Sequence, residues 1–127
     1  MGDKITISDV QNSILNIKST LTNVQQSVGS IPTGDEAARQ ELQGLIEQLN
    51  QALQNVPDNQ KEQAEAVAVS AQAFVETAKT EKPNKTLLQI SGEGLKKAAE
   101  TLAEVAPVVV GIAGQVIALI MRMKGLA

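Results

Sequence analysis

The chain lacks the residue types on which many activities depend. It has no cysteine, histidine, tryptophan or tyrosine, and Phe74 is the single aromatic residue among 127. Disulfides, thiolate or imidazole zinc ligands and a Ser-His-Asp triad are therefore excluded. Stacking platforms for single-stranded nucleic acid are missing, and the net charge of −3 offers phosphates no excess of positive charge. We expect no nucleic-acid partner.

The remaining polar residues form no catalytic motif. The pairs Glu62/Glu65 and Glu100/Glu104 lie opposite apolar stripes, where a solvated helix face is the ordinary explanation. A di-iron bundle would need Glu-x-x-His, and the glycines form neither a dinucleotide-binding motif nor a phosphate loop. We expect a protein that is not an enzyme and that uses no cofactor, metal or small-molecule substrate.

Four prolines divide the chain into segments of helical period. They stand at positions 32, 57, 83 and 107. The pattern predicts an extended segment over 1–8 and helices near 9–29, 35–56, 59–81, 84–106 and 107–124. Because the connections at the prolines are short, neighbouring helices should be antiparallel. We predict an all-α antiparallel bundle of four to five helices, forming a single domain over 1–127.

Apolar residues in the first two segments step by four and three, which is the heptad rhythm of packed helices. In the third segment the apolar face is small, and Phe74 should be the one large side chain of the core. The predicted core positions are Val10, Ile14, Ile17, Leu21, Val24, Val28 and Ile31; Ala38, Leu42, Leu45, Ile46, Leu49, Ala52, Leu53 and Val56; Ala64, Val67, Ala68, Ala71, Phe74, Val75 and Ala78; and Leu87, Leu88, Leu95, Ala98, Ala99, Leu102 and Val105.

Local signals mark the helix ends. Thr33 and Glu36 fit a capping box, Asp58 and Asn84 are good N-caps, and Gly125 suits a C-terminus. Two positions leave alternatives open. Residues 92 and 94 are glycines that mark either a bend or a helix boundary with Ser91 as a cap. At Pro107 we expect a kink within one long helix, and a tight corner with proline at the first helical position is the alternative.

The C-terminal segment is the most distinctive feature. Residues 105–121 carry no charge over 17 positions, at the lower edge of the length that spans a membrane. Residues 83–127 are also net basic, which suits an anionic membrane surface. The alternative is a helix over 105–124 that is buried in the bundle or forms an oligomer interface. Either use would involve the following residues: Val108, Val109, Ile112, Val116, Ile117, Leu119, Ile120, Arg122 and Lys124.

Several stretches together resemble a family of small uncharacterised helical proteins and C-terminal modules from cyanobacteria and other bacteria. They are residues 16–24 (NIKSTLTNV), 81–86 (EKPNKT), 92–99 (GEGLKKAA) and the pair Ala106-Pro107. The resemblance implies a bacterial, non-catalytic accessory module. It supplies no binding residues.

Two functions of different class follow. The first is a module whose C-terminal helix mediates conditional membrane association or insertion, as in an effector of bacterial defence or signalling. The second is a module that self-assembles or docks a partner protein. The N-terminus has no apolar signal segment, so we expect a cytoplasmic location. Membrane use would place the protein on or in the inner membrane.

Overall fold

The computed structural model describes residues 7–32, 35–80 and 84–125. Within these ranges the chain is an all-α bundle, as predicted. Five α-helices form it, with a 3₁₀ turn before the third: α1 (Ile7–Val28), α2 (Glu36–Gln54), the turn Asp58–Gln60, α3 (Lys61–Ala78), α4 (Lys85–Glu100) and α5 (Pro107–Met123).

The helix starts differ from the predicted ones in small ways. The helix α1 begins at Ile7, so the end of the predicted extended segment is helical, and residues 1–6 lie outside the described ranges. Asp35 caps α2 by accepting a hydrogen bond from the Ala38 amide at 3.0 Å. Thr33 of the predicted capping box also lies outside the described residues. Asn84 caps α4 as predicted, accepting from the Leu87 amide at 3.1 Å.

The kink predicted at Pro107 is wrong, and the alternative is correct. The chain leaves α4 through turns over 101–105, and Pro107 is the first residue of a separate helix. Ala106 has an extended φ of −149°, as expected for a residue before proline. Its amide donates to the Leu102 carbonyl at 2.7 Å, which closes the preceding turn. Proline supplies no amide hydrogen to continue α4, so the chain reverses here.

The helices pack as a layer of three against a layer of two. The central helix α3 contacts both α1 and α4, while α2 contacts α1 and α5, and α5 returns against α4. Helices α1 and α3 are parallel, because hydrogen bonds join Asn16 to Glu65 and Ser27 to Glu76 with the same separation of 49 residues. The Ser27 hydroxyl donates at 2.6 Å and lowers the pKa of the Glu76 carboxyl, with a further contribution from Lys79.

The apolar stripes form the core. Every described stripe position of α3 is buried, and Phe74 is completely so. Two predicted core residues of the fourth segment are wrong, since Leu87 and Val105 are 57% and 45% exposed. Leu87 lies one position before the buried Leu88, in the first turn of α4, and Val105 lies in the turn that leaves it.

Gly92 allows close packing of three helices. The helix α4 runs through it without a break, so the alternative of a helix boundary with Ser91 as a cap is wrong. A Cβ atom added at Gly92 would lie 3.3 Å from Cε1 of Phe74 and 3.6 Å from Cγ2 of Ile117. The missing side chain therefore lets α3, α4 and α5 approach one another. By contrast, a Cβ atom at Gly44 in α2 would meet nothing within 4 Å.

Lys61 is a buried charged residue that the sequence did not single out. It is 4% exposed, and its ammonium group donates to the carbonyls of Gln54 at 2.5 Å and Leu53 at 3.5 Å. These carbonyls belong to the C-terminal turn of α2, where the carbonyl groups have no amide partners within the helix. Desolvation lowers the pKa of Lys61 below its ordinary value of 10.5, and the charge of Asp58 partly opposes that shift.

We expect Gly92→Leu to lower the free energy of unfolding by about 1–3 kcal/mol, because the side chain must displace Phe74 or Ile117. The matched change Gly44→Leu places the same side chain in open space on α2. It should raise stability by up to about 1 kcal/mol through helix propensity. Urea unfolding followed by far-UV circular dichroism measures both. Equal effects at the two sites would contradict the tight contact at Gly92.

The lowered pKa of Lys61 predicts how its contribution to stability changes with pH. Between its folded pKa and 10.5, the unfolded chain holds more protons at this residue than the folded chain. The contribution of Lys61 therefore grows as pH rises through that window. We expect the difference in unfolding free energy between the wild type and Lys61→Met to shift in favour of the wild type. Urea melts of both proteins at increasing alkaline pH test this, and a shift toward the variant would contradict it.

Candidate functional site

The helix α5 places most of the predicted interface residues in the core. Of the nine predicted residues, Val108 is 58% exposed, Arg122 is exposed, and Ile117 and Lys124 are half-buried. The remaining five have at most 4% of their surface accessible: Val109, Ile112, Val116, Leu119 and Ile120. The structure thus divides the predicted set between the core and the surface.

The opposite side of α5 faces solvent and carries no charge before Arg122. Its exposed residues are small or uncharged: Val108, Gly111, Gly114, Gln115 and Ala118. Cβ atoms added at Gly111 or Gly114 would meet nothing within 4 Å. Each glycine costs a helix about 1 kcal/mol relative to alanine, and no packing inside the bundle requires either of them.

An apolar groove of about 450 Å³ runs between α4 and α5. Its floor consists of Leu88 and Gly92 from α4 and of Ile117 and Met121 from α5. The groove is a direct consequence of the antiparallel corner at Pro107, which brings these four residues together. We call it the α4–α5 groove.

Charged and polar side chains of α4 form one rim of the groove. Gln89, Glu93 and Lys96 line it and are exposed. With steps of four and three residues, they share one face of the helix. The polar groups therefore lie at the edge, while the floor is hydrophobic. This arrangement resembles the pattern of a protein docking site, with an apolar centre and a polar rim.

The charges also differ between the two ends of this surface. Lys124 at the end of α5 donates to the Thr80 carbonyl at 3.1 Å, which joins it to the end of α3. Lys85 begins α4 at the same end, where the antiparallel α5 finishes with Arg122 in its last turn. The far end of α4 carries Glu100, and Glu104 follows in the turn. One end of the surface is therefore basic and the other acidic.

The predicted residues did not include the α4 side of this surface. From the sequence, Gly92 and Gly94 indicated either a bend or a helix boundary, and Glu93 and Lys96 were not predicted as site residues. The available signal was Gly92 itself, a glycine inside a segment of helical period. A glycine in a helix interior lowers helix stability and commonly has a packing reason. The half-buried Ile117 was predicted, and its neighbours across the groove were not.

Comparisons with family models, curated proteins and solved structures found no match. In the parts of the chain that the structure describes, no helix is both long enough and apolar enough to cross a membrane.

Proposed function

We propose that the chain is a non-catalytic helical module that docks another protein chain through the α4–α5 groove and the adjoining outer face of α5. This is the second of the two functions that the sequence suggested. The observation that carries it is the apolar floor formed by Leu88, Gly92, Ile117 and Met121 under a polar rim. The occupant best suited to such a surface is a protein chain that covers the apolar floor and meets the polar rim.

The burial of α5 favours docking over release of the helix into lipid. Its large side chains, such as Val116 and Ile120, are fully buried in the bundle. Freeing them would expose the core, at a cost of about 1.5–3 kcal/mol for each large side chain. Docking on the outer surface requires no such opening. The exposed residues of α5 are mostly small, so a partner backbone could approach closely.

A photo-crosslinking amino acid placed at Gln89 tests this proposal in the cells that naturally produce the protein. Gln89 is exposed on the groove rim, so the probe should leave the fold intact. We expect a covalent adduct with a discrete protein mass. Its yield should be at least about tenfold higher than the yield of protein adduct from a control probe. The control probe replaces Leu15, which is 59% exposed on α1.

The mass of the adduct separates the outcomes. Twice the mass of the chain identifies a second copy, and another discrete protein mass identifies a different partner. Both outcomes support docking at the groove. Protein adducts that are equal at Gln89 and Leu15, or lipid adducts alone, would contradict the proposal.

Membrane association is the second candidate, and the uncharged solvent face of α5 is the observation that favours it. This face includes Val108 and Ala118 and ends at Arg122. An apolar surface next to basic residues suits shallow binding to anionic lipid. Here α5 would lie on the membrane while the bundle stays folded.

Flotation with phosphatidylglycerol vesicles tests the second candidate. Because the large residues of α5 are in the core, we expect the wild-type protein to stay at the bottom of the gradient. Flotation that Ala118→Asp abolishes, and that Leu15→Asp leaves intact, would instead support membrane binding. Both substitutions are at exposed positions, so unchanged circular dichroism and melting temperature confirm that each variant is folded.

A further inference from the structure

The charges along the α4 rim are complementary to themselves when the helix is reversed. The rim residues Gln89, Glu93 and Lys96 are exposed, as are Lys85 and Glu100 at the two ends of α4 and Glu104 in the turn that follows. Glu93 and Lys96 are symmetric about a point midway between positions 94 and 95. Within α4, Gln89 and Glu100 are symmetric about the same point, and Lys85 lies at the end opposite to Glu100 and to the turn that carries Glu104. An antiparallel second copy of α4 would therefore place carboxylates opposite ammonium groups.

We propose that the partner is a second copy of this chain, bound with its α4 and α5 antiparallel to those of the first across a two-fold axis. The inference rests on the proposed docking function and names its partner. A two-fold axis that lies in the plane of the interface, perpendicular to the helices, reverses the direction of each helix. It does not exchange the positions of α4 and α5 across the face. It therefore sets α4 opposite α4, and α5 opposite α5.

The geometry of α5 agrees with the same axis. Gly92 is opposite Ile117, and Leu88 and Met121 line the same groove, so the two helices run antiparallel side by side. Because the helices are antiparallel, a position two to three residues after Gly92 in α4 is level with a position two to three residues before Ile117 in α5. The point midway between 94 and 95 on α4 is thus level with Gly114 and Gln115.

The axis meets α5 where a partner helix can come closest. Gly111 and Ala118 are symmetric about the point between Gly114 and Gln115, and all four residues are exposed. A Cβ atom at Gly111, at Gly114 or at Gly94 of α4 would meet nothing within 4 Å. Small residues at a helix crossing allow the two backbones to approach closely. The charge pairs of α4 and the open positions of α5, two separate observations, therefore indicate one axis.

The size of the surface predicts a reversible dimer. The 17 residues of α5 extend over about 26 Å, and two helices side by side are about 20 Å wide. Such a face covers about 500 Å² on each copy, which is near the lower end for specific interfaces. We expect dissociation at low protein concentration. The charge pairs lie at the rim, so high salt should weaken the association.

Sedimentation velocity on charge-swap variants tests the proposal. We expect the wild type to dimerise with rising concentration. In the dimer, position 93 of each copy faces position 96 of the other. Glu93→Lys and Lys96→Glu should therefore each create two pairs of like charges and raise the dissociation constant by about tenfold. The double variant Glu93→Lys/Lys96→Glu should restore dimers. An equimolar mixture of the two single variants should also form dimers, since each then meets opposite charges.

A cysteine at the axis gives a second, independent measurement. The chain has no cysteine of its own, so Gly114→Cys introduces a single thiol that should lie near its copy in the partner. We expect rapid oxidation to a disulfide-linked dimer, because facing residues near the axis fall within disulfide reach. Leu15→Cys, exposed on α1, should stay largely monomeric. Unchanged circular dichroism and melting temperature verify that every variant is folded.

Three results would overturn the inference: a wild type that stays monomeric at all accessible concentrations, a dimer that ignores the charge swaps, or equal oxidation of the two cysteine variants. None of these overturns docking itself. A discrete adduct of another mass at Gln89 would then leave the proposed function standing with a different partner. Failure of both experiments would remove the groove as a docking site.

Discussion

The arrangement of α3, α4 and α5 depends on the hydrogen atom that serves as the side chain of Gly92. Phe74 and Ile117 approach this position from two different helices, and a larger residue would have to push one of them away. Gly92 also lines the α4–α5 groove, together with Leu88 and Met121. One position thus belongs both to the tight packing of three helices and to the groove on their surface.

The apolar composition of α5 follows from where the Pro107 corner places it. One side of the helix supplies Val109, Val116 and Ile120 to the core, so it needs large hydrophobic residues. The other side is exposed but carries small uncharged residues rather than lysine or glutamate. Because neither side of the helix carries a charge before Arg122, the sequence shows an uncharged run whose composition is similar to that of a membrane segment. Burial of half of the helix accounts for the large residues, and the docking surface that we propose would account for the small ones.

The fold was largely predictable, because helical periodicity and proline spacing are local signals. The stripe of α3 illustrates this, since positions 64 to 78 are buried at the predicted spacing. Pro107 shows the limit. Proline at a first helical position and proline in a kink have the same local sequence, and only packing of α5 back on α4 decides between them. Lys61 was missed for a similar reason, because the carbonyls that it binds belong to the end of the preceding helix.

The site was only half predictable. Hydrophobicity identified α5 but could not separate its buried side from its exposed side, since both lack charge. The α4 rim was not predicted, because Glu93 and Lys96 are typical of a solvated helix face until the groove beside them is known. The symmetric order of charges along α4 becomes informative only when the position of α5 is known, because α5 shows which of its own residues lie beside the midpoint of that order.

The parallel pairing of α1 with α3 also bears on the order in which the chain folds. Its two hydrogen bonds, Asn16–Glu65 and Ser27–Glu76, each close a loop of 49 residues. By contrast, α4 and α5 meet across one short turn. Loop-closure entropy grows with the length of chain enclosed, so the C-terminal hairpin can form before α1 has found its place. During synthesis α1 can pack on α2 early, but its contacts with α3 form only after most of α3 has left the ribosome.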